Sequence, residues 1–208
     1  DPAPWGRRVW VKLWERSQMT PQTKATFAHS IQVAIASLPP AQAAAIREKA
    51  GAAWLQISQA PSIAWIDEEP YNALTGAARE VLGDSAMREL FRFLGRRVTH
   101  TVSFQQLMEG AIRLMGLSPH TLLKVMPRGR ESVVRNSGTM TYERVSARCA
   151  RLRLRDFPPS TYSSGTTVIL LSGTMLGLVD LAGYSASVKV DLEDVDLQNG
   201  HTTFVVSW

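Results

Sequence analysis

The sequence predicts an α+β fold, in which a mostly helical N-terminal portion precedes the order β-β-α-β-β and an antiparallel four-stranded sheet packs on helices. Three observations predict it. Apolar residues recur at helical spacing as far as about residue 127. After Gly138, alternating stretches indicate two pairs of strands, and one continuous apolar segment lies between the pairs.

The first residues, WGRRVWVKLWERS, place three tryptophans among basic side chains. Aliphatic residues alternate with aromatic or basic ones along this stretch, which suits a short strand. Trp10, Leu13 and Trp14 would equally share one helix face. We expect a terminal element docked on the domain. The alternative is a basic amphipathic segment lying on a membrane surface.

Helices are then predicted from N-terminal signals, from breaks at proline and glycine, and from apolar periodicity. Thr20-Pro21 has the residue types of a helix start. The acidic residues 67–69 suit the positive end of a helix dipole. The expected helices run from Thr20 to Ser37, over 41–58, from Asp67 to Gly83, from Asp84 to Arg97, over 101–116, and along a short segment that ends at Pro127.

Two hairpins form the predicted sheet. In the first, leucines alternate with arginines along the second strand, and the phase slips between Val145 and Arg151, which indicates a turn or a bulge. In the second, Asn199-Gly200 marks the turn. The residues expected on the inward face of this hairpin are Val188, Val190, Leu192, Thr202, Phe204, Val206 and Trp208.

The segment between the hairpins, 168–182, is oily but too short to cross a bilayer, and it contains Asp180. Small residues leave a nearly smooth strip along it, which would let another element approach closely; they are Ser172, Gly173, Thr174 and Gly177. We therefore expect a buried helix that crosses between the hairpins beneath their shared sheet. A transmembrane segment is not expected.

Length and charge limit the organisation. We expect residues 1–60 to pack on an α+β domain over 61–208, with a single domain over 1–208 as the alternative. Residues 88–155 hold fourteen Lys/Arg against four Glu, a net charge of +10. Residues 156–208 carry a net charge of −5. A single cysteine, Cys149, excludes an intrachain disulfide and suits a reducing, cytoplasmic setting.

No motif for catalysis or for metal binding stands out. The chain lacks a Gly-x-Ser-x-Gly elbow and a phosphate-binding glycine loop, and its acidic run EDVDLQNG lacks the spacing of a calcium loop. We therefore expect no enzyme activity, no metal and no cofactor.

Three stretches resemble the 4-vinyl reductase / heme-NO-binding-like group, and in particular its myxobacterial and deltaproteobacterial members. They are IAWIDEEPYNALTGAAREVLGDSAMRELFRFLGRR, ARLRLRDFPPSTYSSG and the C-terminal LLSGTMLGLVDLAGYSASVKVDLEDVDLQNGHTTFVVSW. The resemblance covers about residues 60–208 and implies a sensory module that binds a small apolar molecule between helices and sheet.

The resemblance also bears on cofactors. Metal-binding members carry cysteines in the final hairpin, and this chain has none there. Heme-binding members use a helical histidine, for which His29, His100 and His120 qualify by residue type alone. The tyrosine-serine-arginine heme clamp is absent, because Tyr162-Ser163-Ser164 is followed by Gly165.

The leading hypothesis is a non-enzymatic ligand-binding or sensory domain with a pocket between helix 101–116, helix 166–182 and the sheet. Its expected lining is Phe104, Leu107, Met108, Met115, Leu171 and Met175. The runner-up is a protein-interaction or dimerisation module that binds an acidic partner through a basic patch. This patch comprises Lys124, Arg128, Arg130, Arg135, Arg151, Arg153 and Arg155. Nucleic-acid binding ranks third, because the basic region lacks aromatic stacking platforms.

Overall fold

The computed structural model describes residues 20–97, 102–158, 165–191 and 200–208, with the backbone alone over 102–105. The predicted N-terminal element and the turn residue Asn199 lie outside these residues. Within them the elements are β1 Gln22–Lys24, α1 Ala25–Ala36, α2 Pro40–Ala50, α3 Ala52–Gln59, β2 Trp65–Asp67, α4 Glu68–Arg97, α5 Val102–Met115, α6 Pro119–Glu131, β3 Val134–Arg135, β4 Thr139–Ser146, β5 Cys149–Arg155, α7 Thr166–Leu181, β6 Ser187–Val190 and β7 Thr202–Ser207.

The predicted α+β class and the four-stranded sheet are confirmed. The strands pair antiparallel in the order β4-β5-β7-β6, so each hairpin contributes two neighbouring strands. Leu152 lies opposite Phe204, and both are fully buried. The expected irregularity is present as a register shift between Arg144 and Ser146.

Several helix boundaries differ from the expected ones. The helix predicted over 41–58 breaks at Gly51, whose φ of 50° lies in the left-handed region that glycine tolerates. Gly83, with φ 77° and ψ 166°, marks the expected break as a kink within α4. The end predicted at Pro127 is wrong, since α6 continues to Glu131. Tertiary contacts of Arg130 hold this last turn, because its guanidinium donates to the Gly138 carbonyl and lies over a phenyl ring.

A second, three-stranded sheet was not predicted. Its order is β2-β1-β3, and Thr23 lies opposite both Ile66 and Val134. The helix start predicted at Thr20-Pro21 is consequently wrong: residues 22–24 are extended and α1 begins at Ala25. Backbone pairing to two distant segments outweighs the local helix signal here.

Helix α7 is buried between two apolar clusters, as the sequence predicts. Its Met175, Leu178 and Val179 join the sheet residues in one cluster. Its Ile169 and Leu170 join the second cluster, which α1, α2, α3 and α4 complete. No described helix combines the length and apolar content needed to cross a membrane. The second cluster draws on both of the predicted parts, 1–60 and 61–208.

The smooth strip on α7 allows α4 to approach at backbone distance. A Cβ added at Gly173 would lie 2.3 Å from the Arg88 carbonyl oxygen, and one at Gly177 would lie 2.2 Å from the Arg92 carbonyl oxygen. Gly95 presents the matching gap on α4, with 2.7 Å to the Thr174 oxygen. This confirms the close approach that the small residues predict.

An ion pair lies at the end of the same contact. Arg92 donates two hydrogen bonds to the Asp180 carboxylate, at 2.7 and 2.9 Å, and Arg96 donates a third at 2.8 Å. The bond from Arg92 holds the pKa of Asp180 below its usual range. Asp180, the one acidic residue of α7, therefore links α7 to α4 through a hydrogen-bonded ion pair.

Gly177→Ala should lower the free energy of unfolding by roughly 1–3 kcal/mol or more, because the added methyl group meets the α4 backbone rather than a movable side chain. Gly76→Ala is the matched control, since Gly76 lies in α4 and an added Cβ there meets nothing within 4 Å. That control should gain about 0.5–1 kcal/mol from helix propensity. Urea denaturation measures both, and equal effects at the two sites would contradict the close packing.

Asp180→Asn should lower the free energy of unfolding by about 1–3 kcal/mol at pH 7. Because the folded-state pKa of Asp180 is depressed, its contribution is present above the ordinary aspartate pKa and disappears as the pH falls through the folded value. The difference from the native protein should shrink toward pH 3 in urea denaturation. Asp84→Asn, which breaks an exposed pair with Arg79, should have little effect at either pH.

Candidate functional site

A cavity of about 690 Å³ lies where α1, α4, α6 and α7 meet. Apolar side chains from all four helices form most of its wall. Val33 and Phe93 lie at its exposed end, with 66% and 38% of their surfaces accessible. The other apolar residues of the wall include Phe27, Phe91, Leu94, Met126, Leu170, Leu171 and Leu178.

Hydroxyl groups in the wall mostly serve their own helices. Ser30 donates to the Phe27 carbonyl oxygen at 2.6 Å, and Ser37 donates to the Ala34 carbonyl oxygen at 2.7 Å. On α7, Thr174 donates to the Leu170 carbonyl oxygen at 2.9 Å. Because these hydroxyls are already paired, they leave the cavity mainly apolar.

One part of the wall is charged. The Ser137 hydroxyl donates to the Glu68 carboxylate at 2.6 Å, and Glu68 is buried. Arg130 donates to the carbonyl oxygens of Ser137 and Gly138 and lies 4.3 Å from the centre of the Phe157 ring. The described wall therefore contains one carboxylate and two guanidinium groups, because Arg97 also lines the cavity and lies 4.5 Å from the centre of the Phe93 ring.

Tyr71 lies beside Glu68 and Arg130 in the cavity wall. Its ring stacks on Phe27, with the ring centres 5.9 Å apart and the planes at 26°. Burial, with a smaller effect from the Glu68 carboxylate, raises the pKa of the Tyr71 phenol well above its ordinary value, and Arg130 opposes this. Tyr71 is therefore a neutral phenol at physiological pH.

His29 is the imidazole that the described residues bring to the cavity wall. Its Nε2 lies 2.6 Å from the Ile57 carbonyl oxygen, which requires Nε2 to carry the hydrogen and donate. The ring thus ties α1 to α3. Its Nδ1 is bonded to Cγ, and so it lies on the side of the ring nearer the α1 backbone.

The structure describes the side chains of five of the six residues predicted to line a pocket. Of these five, Leu171 alone lines the 690 Å³ cavity. Met108 and Met175 are buried in the sheet-side cluster, Leu107 packs against it, and Met115 is 45% exposed at the end of α5. The Phe104 side chain lies outside the described residues. The thioethers of the two buried methionines fill the space between α5, α7 and the sheet.

The walls that α1, α4 and α6 contribute were not predicted from the sequence. A usable signal existed in α1, where Phe27 and Val33 lie off the stripe of fully buried residues that includes Ile31 and Ile35. A helix with apolar side chains beyond its core-facing stripe has a second apolar surface to contact. In this fold that second surface faces the cavity.

The predicted basic patch is dispersed over four places. Lys124 and Arg128 are exposed on α6, whereas Arg130 belongs to the cavity wall. Arg135 donates to the Gln22 side chain and lies over the Trp65 ring at 4.5 Å. The others share the outer face of β5, and two of them pair with Glu143; they are Arg151, Arg153 and Arg155.

Two apolar clusters lie on either side of one buried helix, and a cavity lies among four helices of this α+β domain. Solved structures of H-NOX domains have this fold. A mutant H-NOX protein from T. tengcongensis matches with a TM-score of 0.59 and 12% identity, over 88% of this chain and 96% of that chain. A K. algicida mutant matches at 0.58 and 11%, over 89% and 95%. A Cs H-NOX mutant matches at 0.61 and 12%, over 88% and 95%.

No protein-family model and no curated protein matches the sequence. The likeness to solved structures establishes the fold, which is that of the heme-NO-binding group. This part of the resemblance noted in the sequence is confirmed. One of the matched structures concerns a protein that distorts its porphyrin to modulate heme redox potential.

The donor atoms of the described residues do not fit a heme iron in this cavity. His29 directs Nε2 at a carbonyl oxygen, and His100 lies outside the described residues. His120 lies outside the cavity, where its Nδ1 is 2.6 Å from the Tyr142 hydroxyl and its Nε2 is 2.9 Å from the Ser146 carbonyl oxygen. Tyr71 is held as a neutral phenol, which is a poor ligand for iron.

His100→Ala removes the one candidate histidine outside the described residues, so added hemin should give no sharp, protein-bound Soret band with this variant. The measurement is an absorbance titration in the reduced and oxidised states, with His29→Ala and His120→Ala each added to this variant in parallel. A sharp band that persists in His100→Ala and disappears when one of these substitutions is added would show that a described histidine binds heme, and would identify it.

Proposed function

We propose that the chain is a non-enzymatic sensory domain that binds a small apolar molecule in the cavity between α1, α4, α6 and α7, without heme. The cavity itself carries this proposal. Its volume of about 690 Å³ falls within the range of roughly 300–1,000 Å³ that ligand pockets occupy.

The position of the cavity suits sensing. Its wall includes Phe91 and Leu94 from α4 and Leu170 and Leu171 from α7. These two helices form the close glycine-lined contact, so a bound molecule would touch both partners of that contact. A ligand that preferred one arrangement of α4 and α7 would bias that arrangement in proportion to its difference in affinity.

The chemistry of the wall favours binding over catalysis. Glu68 and Arg130 are held by neighbouring groups, and the serine hydroxyls bond to helix carbonyls. In the described residues, no three histidine, cysteine or acidic side chains are grouped as metal ligands would be. We infer that nothing in this wall activates a nucleophile or a water molecule.

The proposal also includes a narrower family relationship. Within the heme-NO-binding fold group, the arginine/leucine strand that leads through Phe157-Pro158 toward the buried helix supports the 4-vinyl-reductase-like branch and its myxobacterial members. A cytoplasmic location is proposed with it, since Cys149 is a free thiol.

A protein-interaction or dimerisation module is the second candidate, supported by one observation. Arg151, Arg153 and Arg155 share the outer face of a central strand, and Glu143 offsets part of their charge. Such a face suits an acidic partner. Nucleic acid is less well supported, because Lys124 and Arg135 lie on other elements and do not extend this face.

The neutral fluorescent probe N-phenyl-1-naphthylamine should bind the chain with a rise in fluorescence and raise its melting temperature. Ala34→Leu should weaken probe binding at least tenfold, because Ala34 lines the cavity and is nearly fully buried. Ala36→Leu is the matched control, since Ala36 is exposed on the same helix outside the cavity wall.

Equal binding by the native protein and both variants would place the probe elsewhere and contradict the cavity. Absence of binding by the native protein would favour the interaction module. Size-exclusion chromatography of the same preparations shows whether either substitution changes the oligomeric state.

A further inference from the structure

The hydroxyl group of Tyr71 has no hydrogen-bond partner among the described residues. The backbone carbonyl of Tyr71 accepts from Thr75 at 3.0 Å, and its ring stacks on Phe27, but neither contact uses the hydroxyl. By its accessible surface Tyr71 is only partly buried, and it lines the cavity.

This hydroxyl is positioned as a donor. Stacking on Phe27 fixes the ring plane, which leaves rotation of the O–H bond as its main freedom. The phenol stays neutral, because burial and the Glu68 carboxylate raise its pKa. A neutral phenol in an apolar wall donates its hydrogen to whichever acceptor enters the cavity.

The charges nearby decide what kind of acceptor fits. Glu68 and Arg130 both line the cavity, and both act on Tyr71 with opposite signs. Their charges offset one another, so the wall beside Tyr71 offers no net positive charge for a carboxylate or a phosphate. Arg97, the other cation of the wall, lies over the Phe93 ring at the exposed end and is not among the charges that act on Tyr71. A neutral oxygen, such as that of a ketone, accepts from the phenol without a charged partner.

On the basis of the proposed function, we propose that the cavity selects a neutral lipophile that carries a carbonyl oxygen, and that the Tyr71 hydroxyl donates a hydrogen bond to this oxygen. Apolar lining supplies the affinity, and the single phenol supplies the orientation. A site built around a hydrogen bond discriminates against an analogue that lacks the acceptor, because its own polar group is then left unpaired.

Two naphthalenes of similar shape test this. 2-Acetylnaphthalene carries a carbonyl oxygen and 2-ethylnaphthalene does not, and each can displace N-phenyl-1-naphthylamine from the native protein. In Tyr71→Phe the ratio of the two dissociation constants, ketone over hydrocarbon, should rise about three- to tenfold. Tyr184→Phe is the matched control, since Tyr184 is exposed and lies outside the cavity wall, and it should leave the ratio unchanged.

Two further readouts separate binding from a structural role. The infrared carbonyl stretch of bound 2-acetylnaphthalene should lie at lower frequency in the native protein than in Tyr71→Phe, because the hydrogen bond weakens the C=O bond. The melting temperature of ligand-free Tyr71→Phe should not fall, since the lost hydroxyl has no partner among the described residues. A clear fall would assign the hydroxyl a structural role and overturn the proposal.

The outcomes distinguish the two proposals. If both naphthalenes displace the probe and Tyr71→Phe leaves their ratio unchanged, the role of Tyr71 is overturned while the cavity function stands. If neither naphthalene nor the probe binds the native protein, the cavity function itself fails. A raised ratio together with a shifted carbonyl stretch supports both.

Discussion

The contact between α4 and α7 is the constraint on which the rest of this structure depends. Its backbones approach so closely that no side chain larger than hydrogen fits at Gly95, Gly173 or Gly177. The hydrogen bonds from Arg92 and Arg96 to Asp180 fix how far the two helices are shifted along one another. Because α7 also belongs to the sheet-side cluster, this one contact joins the sheet to the helical layer.

The cavity follows from that arrangement. Helices α1 and α6 line the space beside the contact between α4 and α7, through side chains such as Phe27 and Met126. These side chains do not fill the space. The buried pair of Ser137 and Glu68, together with Arg130, braces the wall where α4, α6 and the entry to β4 meet. An open volume of this size forgoes packing energy that a closed core would gain, which is typical of a site retained for binding.

The comparison with H-NOX structures shows how far a fold constrains function. The helices and the sheet are arranged as in domains whose identity to this chain is 11 or 12%. The described wall of this chain presents a neutral phenol and an imidazole already bonded to a carbonyl oxygen. A shared fold does not fix what a site binds, because binding depends on the residues of the site itself.

The sequence by itself determined the order of the main elements, the inward residues Leu152, Phe204 and Val206, and the burial of α7. Each of these depends on local patterns: alternation along a strand, or small residues in an apolar helix. Only the tertiary structure decided the three-residue strands β1 and β2, the dispersal of the basic residues and the location of the cavity. Three residues are too few to show a period, and the cavity joins Phe27, Tyr71 and Leu171, which lie far apart along the chain. A site assembled from such distant positions leaves no pattern in any one stretch, so the folded chain alone brings it together.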